Sequence, residues 1–357
     1  MKIVLHAEYY EKYLEHFYAH NNCDGLSYLE HLNKLLDDYF GSFVSYHRHF
    51  EKIGYQSNLI IANDFNLQNK WLVENGFNFK ANSNTKHQVV LLQVQKINPD
   101  LFFMGSMFEY YGDFLGKISL ITKNIFTWIA CPYPKNLNFS FVKCVISSHS
   151  KFIKKFKQQG IQGEVLAAAF DSDILNKLSF ETNKSEVSFI GGLGTIHKER
   201  VDSLKSLIKK DISLDLYGYG LRKPLISLFK SPLEKIYKGE LWGMEMYNKL
   251  ACSNISLNFH IKEADGQSGN MRMYEATGCG SLLLTESTKD LNNLFEPYKE
   301  VVPYDSIPDL KEKINYYSKN KKEAQKIAKS GQKKCLEKHG YNFRIIEFDG
   351  LIKKHLE

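Results

Sequence analysis

No window of the sequence approaches about 18 uninterrupted apolar residues, so no membrane-spanning helix is expected. The six cysteines are Cys23, Cys131, Cys144, Cys252, Cys279 and Cys335. They form no CxxC pair, and none has a second cysteine or histidine at zinc-finger spacing. That excludes the common structural zinc modules, and dispersed thiols of this kind read as reduced cysteines of a cytosolic chain. The opening MKIVLHAEYYEKYLEHFY is a short apolar run followed by charges. It reads as a first β-strand rather than a secretory signal. Internal repeats, low-complexity tracts and nucleic-acid modules are also missing, so no nucleic-acid partner is expected.

What is present is the composition of a globular chain long enough for two cores. The 357 residues are 43% hydrophobic and 24% charged, with 24 Phe and 21 Tyr. The formal net charge is +7, with lysines massed between Lys311 and Lys338. The plainer reading of those lysines is the solvated face of a helix. The other is a surface that meets phosphate, such as an anionic leaflet.

Short apolar runs alternate with helix-period segments in both halves. The first half gives KIVLHA, a helical stretch from Leu26 to Ile53, SNLIIAN, PDLFFMG, NIFTWIACP, KCVISS, the helix SKFIKKFKQQG and EVLAAAFD. The polar segment from about Asp171 to Glu186 lacks periodicity and reads as a linker. VSFIGG, a helix over Lys198–Lys210, SLDLYGYG, a helix near Pro224–Phe229 and EKIYKG follow. WGMEMYNKLACS, ISLNFH, NMRMYEATGCG and SLLLTE complete the second series. Apolar strands separated by helices imply parallel sheets covered on both faces. The expected fold class is therefore α/β, with two Rossmann-like domains facing across a ligand-binding cleft.

Several stretches are candidates for chemistry. FIGGLGTIHKER places Gly191, Gly192 and Gly194 between a strand and a helix, where backbone amides approach a phosphate. The spacing is not GxGxxG, so it is no nicotinamide fingerprint. His197 and Arg200 lie three apart, on one helix face. SLDLYGYGLRKP places Gly218 and Gly220 after a strand, with Arg222 and Lys223 behind. Trp242, in YKGELWGMEMY, is a candidate to stack on a nucleobase, although a core tryptophan is the commoner fate. In GQSGNMRMYEATGCGSLLLTES, Asn270, Arg272 and Glu275 sit where a helix begins. A carboxylate there suits a ribose diol, and charge at the start of a surface helix is the plainer alternative.

At NMRMYEATGCGSLLLTES, LFEPYKEVVPYDS, AKSGQKKCLEKHGYNFR, WGMEMYNKLACSNISLNFH and FIGGLGTIHKER the sequence resembles the CgeB-like glycosyltransferases, which have the GT-B fold. LQNKWLVENG, TWIACPYP and ISSHSKFIKKFKQQGI extend the resemblance over the first half. It implies an acceptor-binding domain at 1–175, a donor-binding domain at 184–340, and a final helix within 341–357 that crosses back to the first domain. It implies an activated, nucleotide-diphosphate sugar donor. The acceptor would be a glycan, free or lipid-linked, in bacterial surface polysaccharide or glycoconjugate synthesis. The expected location is the cytoplasm, with peripheral association at the inner membrane face as an extension of it.

The donor residues implied are Gly192, Gly194, His197, Arg200, Gly218, Trp242, Asn258, Gln267, Asn270, Arg272 and Glu275. Glu275 would take the ribose, and Arg272, His197 and Arg200 the diphosphate. Gln267 stands where many relatives carry a sugar-facing glutamate. No metal is expected, because GT-B enzymes stabilise the departing diphosphate with basic residues and helix dipoles. The Asp171–Asp173 pair reads as turn chemistry. An inverting reaction would need a general base from the first domain, and His149, Asp64 and Glu109 each follow a strand end. A retaining reaction would need none, and the sequence admits either. The alternatives are a GT-B transferase whose phosphorylated sugar donor lacks a nucleobase, and a non-catalytic carbohydrate-binding or spore-surface protein.

Overall fold

The computed structural model describes residues 1–105, 107–179, 185–208, 212–221, 232–261 and 266–356, with only the backbone at 196. The chain divides into two units. Unit 1 is Met1–Ala167 with Arg344–Glu357, and unit 2 is Ala168–Phe343.

In unit 1 the order is β1 (Lys2–Ala7), α1 (Glu11–His20), α2 (Tyr28–Leu36), α3 (Ser42–Lys52), β2 (Gln56–Ile61), α4 (Phe65–Glu74) and α5 (Lys86–Ile97). There follow β3 (Leu101–Met104), α6 (Asp113–Ile118), β4 (Ile125–Trp128), β5 (Cys144–Ser147), α7 (Ser150–Gln158) and β6 (Gly163–Val165). The strands form one sheet, ordered β2-β1-β3-β4-β5-β6 and wholly parallel. Every residue of β3 and β5 is buried, as expected of parallel strands covered on both faces.

Unit 2 contains β7 (Ser185–Ile190), α8 (Lys198–Ile208), β8 (Asp215–Tyr217), α9 (Pro232–Ile236), α10 (Gly243–Ala251) and β9 (Ser253–Asn258). It continues through α11 (Met271–Gly278), β10 (Leu282–Glu286), β11 (Val302–Tyr304), α12 (Ile307–Lys319) and α13 (Lys321–Lys338). Its sheet, also parallel, is ordered β11-β10-β9-β7-β8. Counted from its own first strand this is 2-1-3-4-5, and unit 1 has the same order with a sixth strand added. In each unit the chain therefore leaves the first strand on one side, then returns to pair on the other. That reversal opens a crevice at the carboxyl ends of the first and third strands. In unit 1 it lies beyond β1 and β3, and in unit 2 beyond β7 and β9.

The last helix, α14 (Tyr341–Leu356), spans the unit boundary, and its residues from Arg344 onward belong to unit 1. There the wholly buried Phe348 packs against the rings of Phe103 (4.9 Å), Tyr46 and Phe50 (5.5 Å each). Burying one such ring contributes about 2–3 kcal/mol.

Two local expectations are corrected. The helical stretch from Leu26 to Ile53 is two helices, broken where Tyr39 (φ 52°) and Gly41 (φ 80°) take left-handed backbone. EKIYKG is not a strand. Pro232 at the first helical position starts α9, and only Tyr237 forms a single bridge to Leu216 of β8. The helix expected near Pro224–Phe229 lies outside the described residues, as do Arg222 and Lys223. All six cysteines are free. Among the described residues no helix is long and apolar enough to cross a membrane.

His6, on β1, is wholly buried between Phe102 and Tyr110, with neither ring nitrogen hydrogen-bonded. Burial, reinforced by the Lys86 and His87 charges, lowers its pKa from 6.5 to about 3. Below pH 6.5 the unfolded chain takes up a proton that the folded chain refuses until about pH 3, so stability falls on acidification through that window. Replacing His6 by Phe should remove about 2 kcal/mol of the stability difference between about pH 7 and pH 5. Urea unfolding of both proteins at the two pH values measures it. An identical pH dependence would show that His6 does not carry the effect.

Candidate functional site

The unit 2 crevice is built from glycine. Gly218 packs so closely that a Cβ there would lie 1.9 Å from the Gly191 carbonyl oxygen. The loops after β7 and β8 are zipped by Gly191 N–H to Tyr217 O (3.1 Å) and Leu193 N–H to Tyr219 O (2.8 Å). On the other flank Arg200, from α8, donates to the carbonyls of Gly192 and Phe259, each at 3.1 Å. It thereby ties the loop after β7 to the loop after β9. Burial draws the guanidinium below its ordinary pKa. The Glu286 carboxylate opposes that shift and the like charge of Arg272 adds to it. Arg200, expected at the diphosphate, gives two of its donors to the Gly192 and Phe259 carbonyls. His197 sits in the 3₁₀ turn before α8, its ring packed on Gly192, which leaves no room for a Cβ.

The stretch around Glu275 is less exposed than a surface helix would be. Glu275 lies in the second turn of α11 and is 6% exposed. Its Oε2 is 2.9 Å from Nη1 of Arg272, and its Oε1 is 3.5 Å from the Tyr247 hydroxyl on α10. Arg272 Nη2 also rests 3.1 Å from the Met246 sulfur. The reading of Glu275 as charge on a surface helix is thereby set aside. A carboxylate this buried needs a partner, and Arg272 supplies it.

Asn270 occupies the N-cap of α11, yet its side chain does not cap the helix. Nδ2 donates instead to Asn258 Oδ1 (2.8 Å) and Asn258 Nδ2 to Thr285 Oγ1 (2.9 Å), with His260 Nε2 3.2 Å from that hydroxyl. Asn270 therefore leaves the first-turn amides of α11 without an N-cap side-chain bond, an arrangement that suits an anion at a helix start. Gln267 is half-buried between Gly266 (φ 73°) and Ser268, whose N–H donates to Asp290 Oδ1 at 2.8 Å. Trp242, at the N-cap of α10, is buried with its ring 5.8 Å from that of Tyr219.

The three candidate bases of unit 1 differ. Asp64 is 1% exposed, receives the Tyr18 hydroxyl at 2.7 Å and caps α4 through Leu67 N–H at 3.1 Å. Burial raises its pKa against those bonds. Its carboxylate is committed to the fold. His149 is buried at the N-cap of α7. Glu109 is exposed in the loop after β3 and ion-paired with Lys86. Asp171 accepts from the Asp173 N–H at 3.1 Å and caps a 3₁₀ turn over Ser172–Lys177.

Two neighbours of the unit 2 crevice went unread in the sequence. Glu286 ends β10, accepts the His260 N–H at 2.6 Å and has its pKa raised by burial. His260 follows β9. Both stand immediately at strand ends, the one sequence signal that could have marked them.

Residues 198–349 match the family model described as glycosyl transferase-like. The whole chain is similar to several solved structures. A glycosyltransferase from Rickettsia africae ESF-5 has a TM-score of 0.59 at 13% identity, over 100% of this chain and 98% of that one. The Anabaena protein Alr3699/HepE, solved in complex with UDP-glucose, has 0.59 at 12%, over 98% and 100%. A sucrose-phosphate synthase from Thermosynechococcus elongatus has 0.57 at 9%, over 99% and 98%. No curated protein matches the sequence significantly. Two parallel α/β units with these neighbours give the chain the GT-B fold.

Gly218→Ala should destabilise the protein by about 2 kcal/mol, because the added methyl meets backbone that cannot swing away. Gly194→Ala is the control. Its Cβ would meet only the Gly220 carbonyl at 3.9 Å, and it should cost less than about 0.5 kcal/mol. Urea midpoints of the two variants test the loop packing, and equal midpoints would refute it.

Proposed function

We propose that the protein is a glycosyltransferase that moves a sugar from a nucleotide-diphosphate donor, bound by unit 2, to a glycan acceptor received by unit 1. The observation that carries this reading is the buried Arg272–Glu275 pair on α11, 2.9 Å apart, within the stretch that matches the glycosyl transferase-like model. Glu275 accepts the hydroxyls of the donor ribose. Arg272 and the uncapped amides at the start of α11 face the diphosphate. Because HepE was solved with UDP-glucose, a uridine diphosphate sugar is the first donor to try.

The chemistry follows from charge. As the glycosidic bond to the diphosphate breaks, negative charge grows on the leaving phosphate. A fixed guanidinium and aligned amides stabilise that charge without reorganising. The proposed reaction needs no metal for this step. Arg200 acts through position, holding the two strand-end loops so that the amides stay aimed. Trp242, buried against Tyr219, serves as the wall of the base pocket. Gln267, in place of an acid, meets the sugar as a neutral hydrogen-bond partner. The acceptor belongs to bacterial surface glycan synthesis, and the reaction runs in the cytoplasm at the inner membrane face.

Calorimetry with UDP tests the assignment. Glu275→Gln keeps the side-chain shape but weakens the hold on the ribose, and UDP affinity should fall about tenfold, or about 1.4 kcal/mol. Unchanged affinity would remove Glu275 from the ribose. If neither UDP nor any other nucleoside diphosphate binds the wild-type protein, the nucleotide-sugar reading is wrong.

A further inference from the structure

Unit 2 has a cavity of about 360 Å³ at the amino ends of its strands, away from the crevice at their carboxyl ends. Glu186, the second residue of β7, and Asn254, the second of β9, line it from the sheet, and α12 and α13 line it from outside. Close-packed interiors leave few voids larger than a water molecule, and this one falls in the size range of small-molecule pockets. Its size has a cause in the sequence. α13 meets the cavity with Ala324 and Ala328, four apart on one helix face, where larger side chains would fill the space.

The polar lining is uneven. Glu186 Oε2 accepts from Asn254 Nδ2 (3.1 Å) and from Lys321 Nζ (3.2 Å). Glu186 Oε1 is buried, and among the described residues it accepts no hydrogen bond. A buried acceptor in that state needs a donor. Gln325 and Lys329, spaced by four along the same face of α13 as Lys321, also line the cavity, and both are exposed. Among the described residues Lys329 forms no ion pair. Because Glu186 and Lys321 pair with each other, the lining carries one uncompensated positive charge. A single carboxylate balances it. A phosphate monoester, at about −1.5 to −2 charge near pH 7, would leave the cavity negative. The buried Tyr317, Ala324 and Ala328 complete the lining with an apolar wall that suits a carbon skeleton.

We infer that this cavity is a binding site for a small hydroxylated carboxylate, of the sugar-acid class, separate from the donor crevice. The ligand carboxylate pairs with Lys329 and accepts from the Gln325 amide. A ligand hydroxyl donates to Glu186 and supplies the hydrogen bond that its Oε1 lacks. No residue of the crevice takes part, so the inference stands apart from the glycosyltransferase reading.

Calorimetric titration of the full chain with glucuronate and with gluconate tests it. At least one should bind with a Kd of about 1 mM or tighter. Glucose lacks the carboxylate, acetate lacks the hydroxyls, and glucose 6-phosphate carries the wrong charge, so each should bind about tenfold more weakly. Lys329→Glu should weaken the sugar acid about tenfold, and Ala328→Leu, which fills the cavity, should abolish its binding. Lys326→Glu makes the same change of charge on α13 outside the cavity and should leave the affinity within about twofold. Thermal midpoints establish that each variant is folded, and Lys329, being exposed, can be replaced without disturbing a core. The inference is overturned if neither sugar acid binds, or if glucose 6-phosphate binds as tightly. It is also overturned if binding survives either cavity substitution in a folded protein, or if Lys326→Glu weakens it as much as Lys329→Glu.

Discussion

Everything proposed for the crevice of unit 2 depends on one guanidinium bonded to two backbone carbonyls. Arg200 spends two donors on the carbonyls of Gly192 and Phe259. Those carbonyls belong to loops that diverge from adjacent strands, β7 and β9, and a crevice between diverging loops tends to splay unless something spans it. A short side chain could not reach both, and an ammonium lacks the planar fork that serves two oxygens at once. Its burial lowers the guanidinium pKa from its ordinary value, and the Glu286 carboxylate opposes that shift. On the opposite flank the contact of Gly218 with Gly191 replaces a side chain by nothing at all. The crevice is closed by an arginine on one side and by two glycines on the other.

With the crevice fixed, the proposed donor site needs few further groups. Glu275 and Arg272 neutralise each other, which offsets part of the cost of burying a carboxylate. Asn270 shows the same economy. It gives its side chain to Asn258 and leaves the start of α11 bare.

The fold class was readable because alternation of apolar strands with helical segments is a local property, repeated often enough to survive errors. Strand order was not readable, since KIVLHA, PDLFFMG and SLLLTE would be equally apolar at any place in a parallel sheet. The break within residues 26–53 was hidden because Tyr39 adopts left-handed backbone that its side chain does not announce. In the site, Asn270, Arg272 and Glu275 stood out as polar residues in a segment that should pack. Arg200 was visible, but its bonds to carbonyls were not, because Phe259 lies 59 residues away. Glu8 and Lys86 stand 78 residues apart and meet only through the sheet.

The membership of α14 has a consequence for how the molecule is made. Unit 2 is one uninterrupted stretch of chain, whereas unit 1 is assembled from both ends of the sequence. The aromatic socket of Tyr46, Phe50 and Phe103 is synthesised before unit 2, and the ring that fills it, Phe348, after it. During synthesis the N-terminal unit therefore waits, incomplete, while its successor closes. Any nascent or clipped chain ending before Arg344 would display that open socket. Only a chain carried past unit 2 as far as Phe348 can fill it, so the closing of unit 1 reports that unit 2 has already been made.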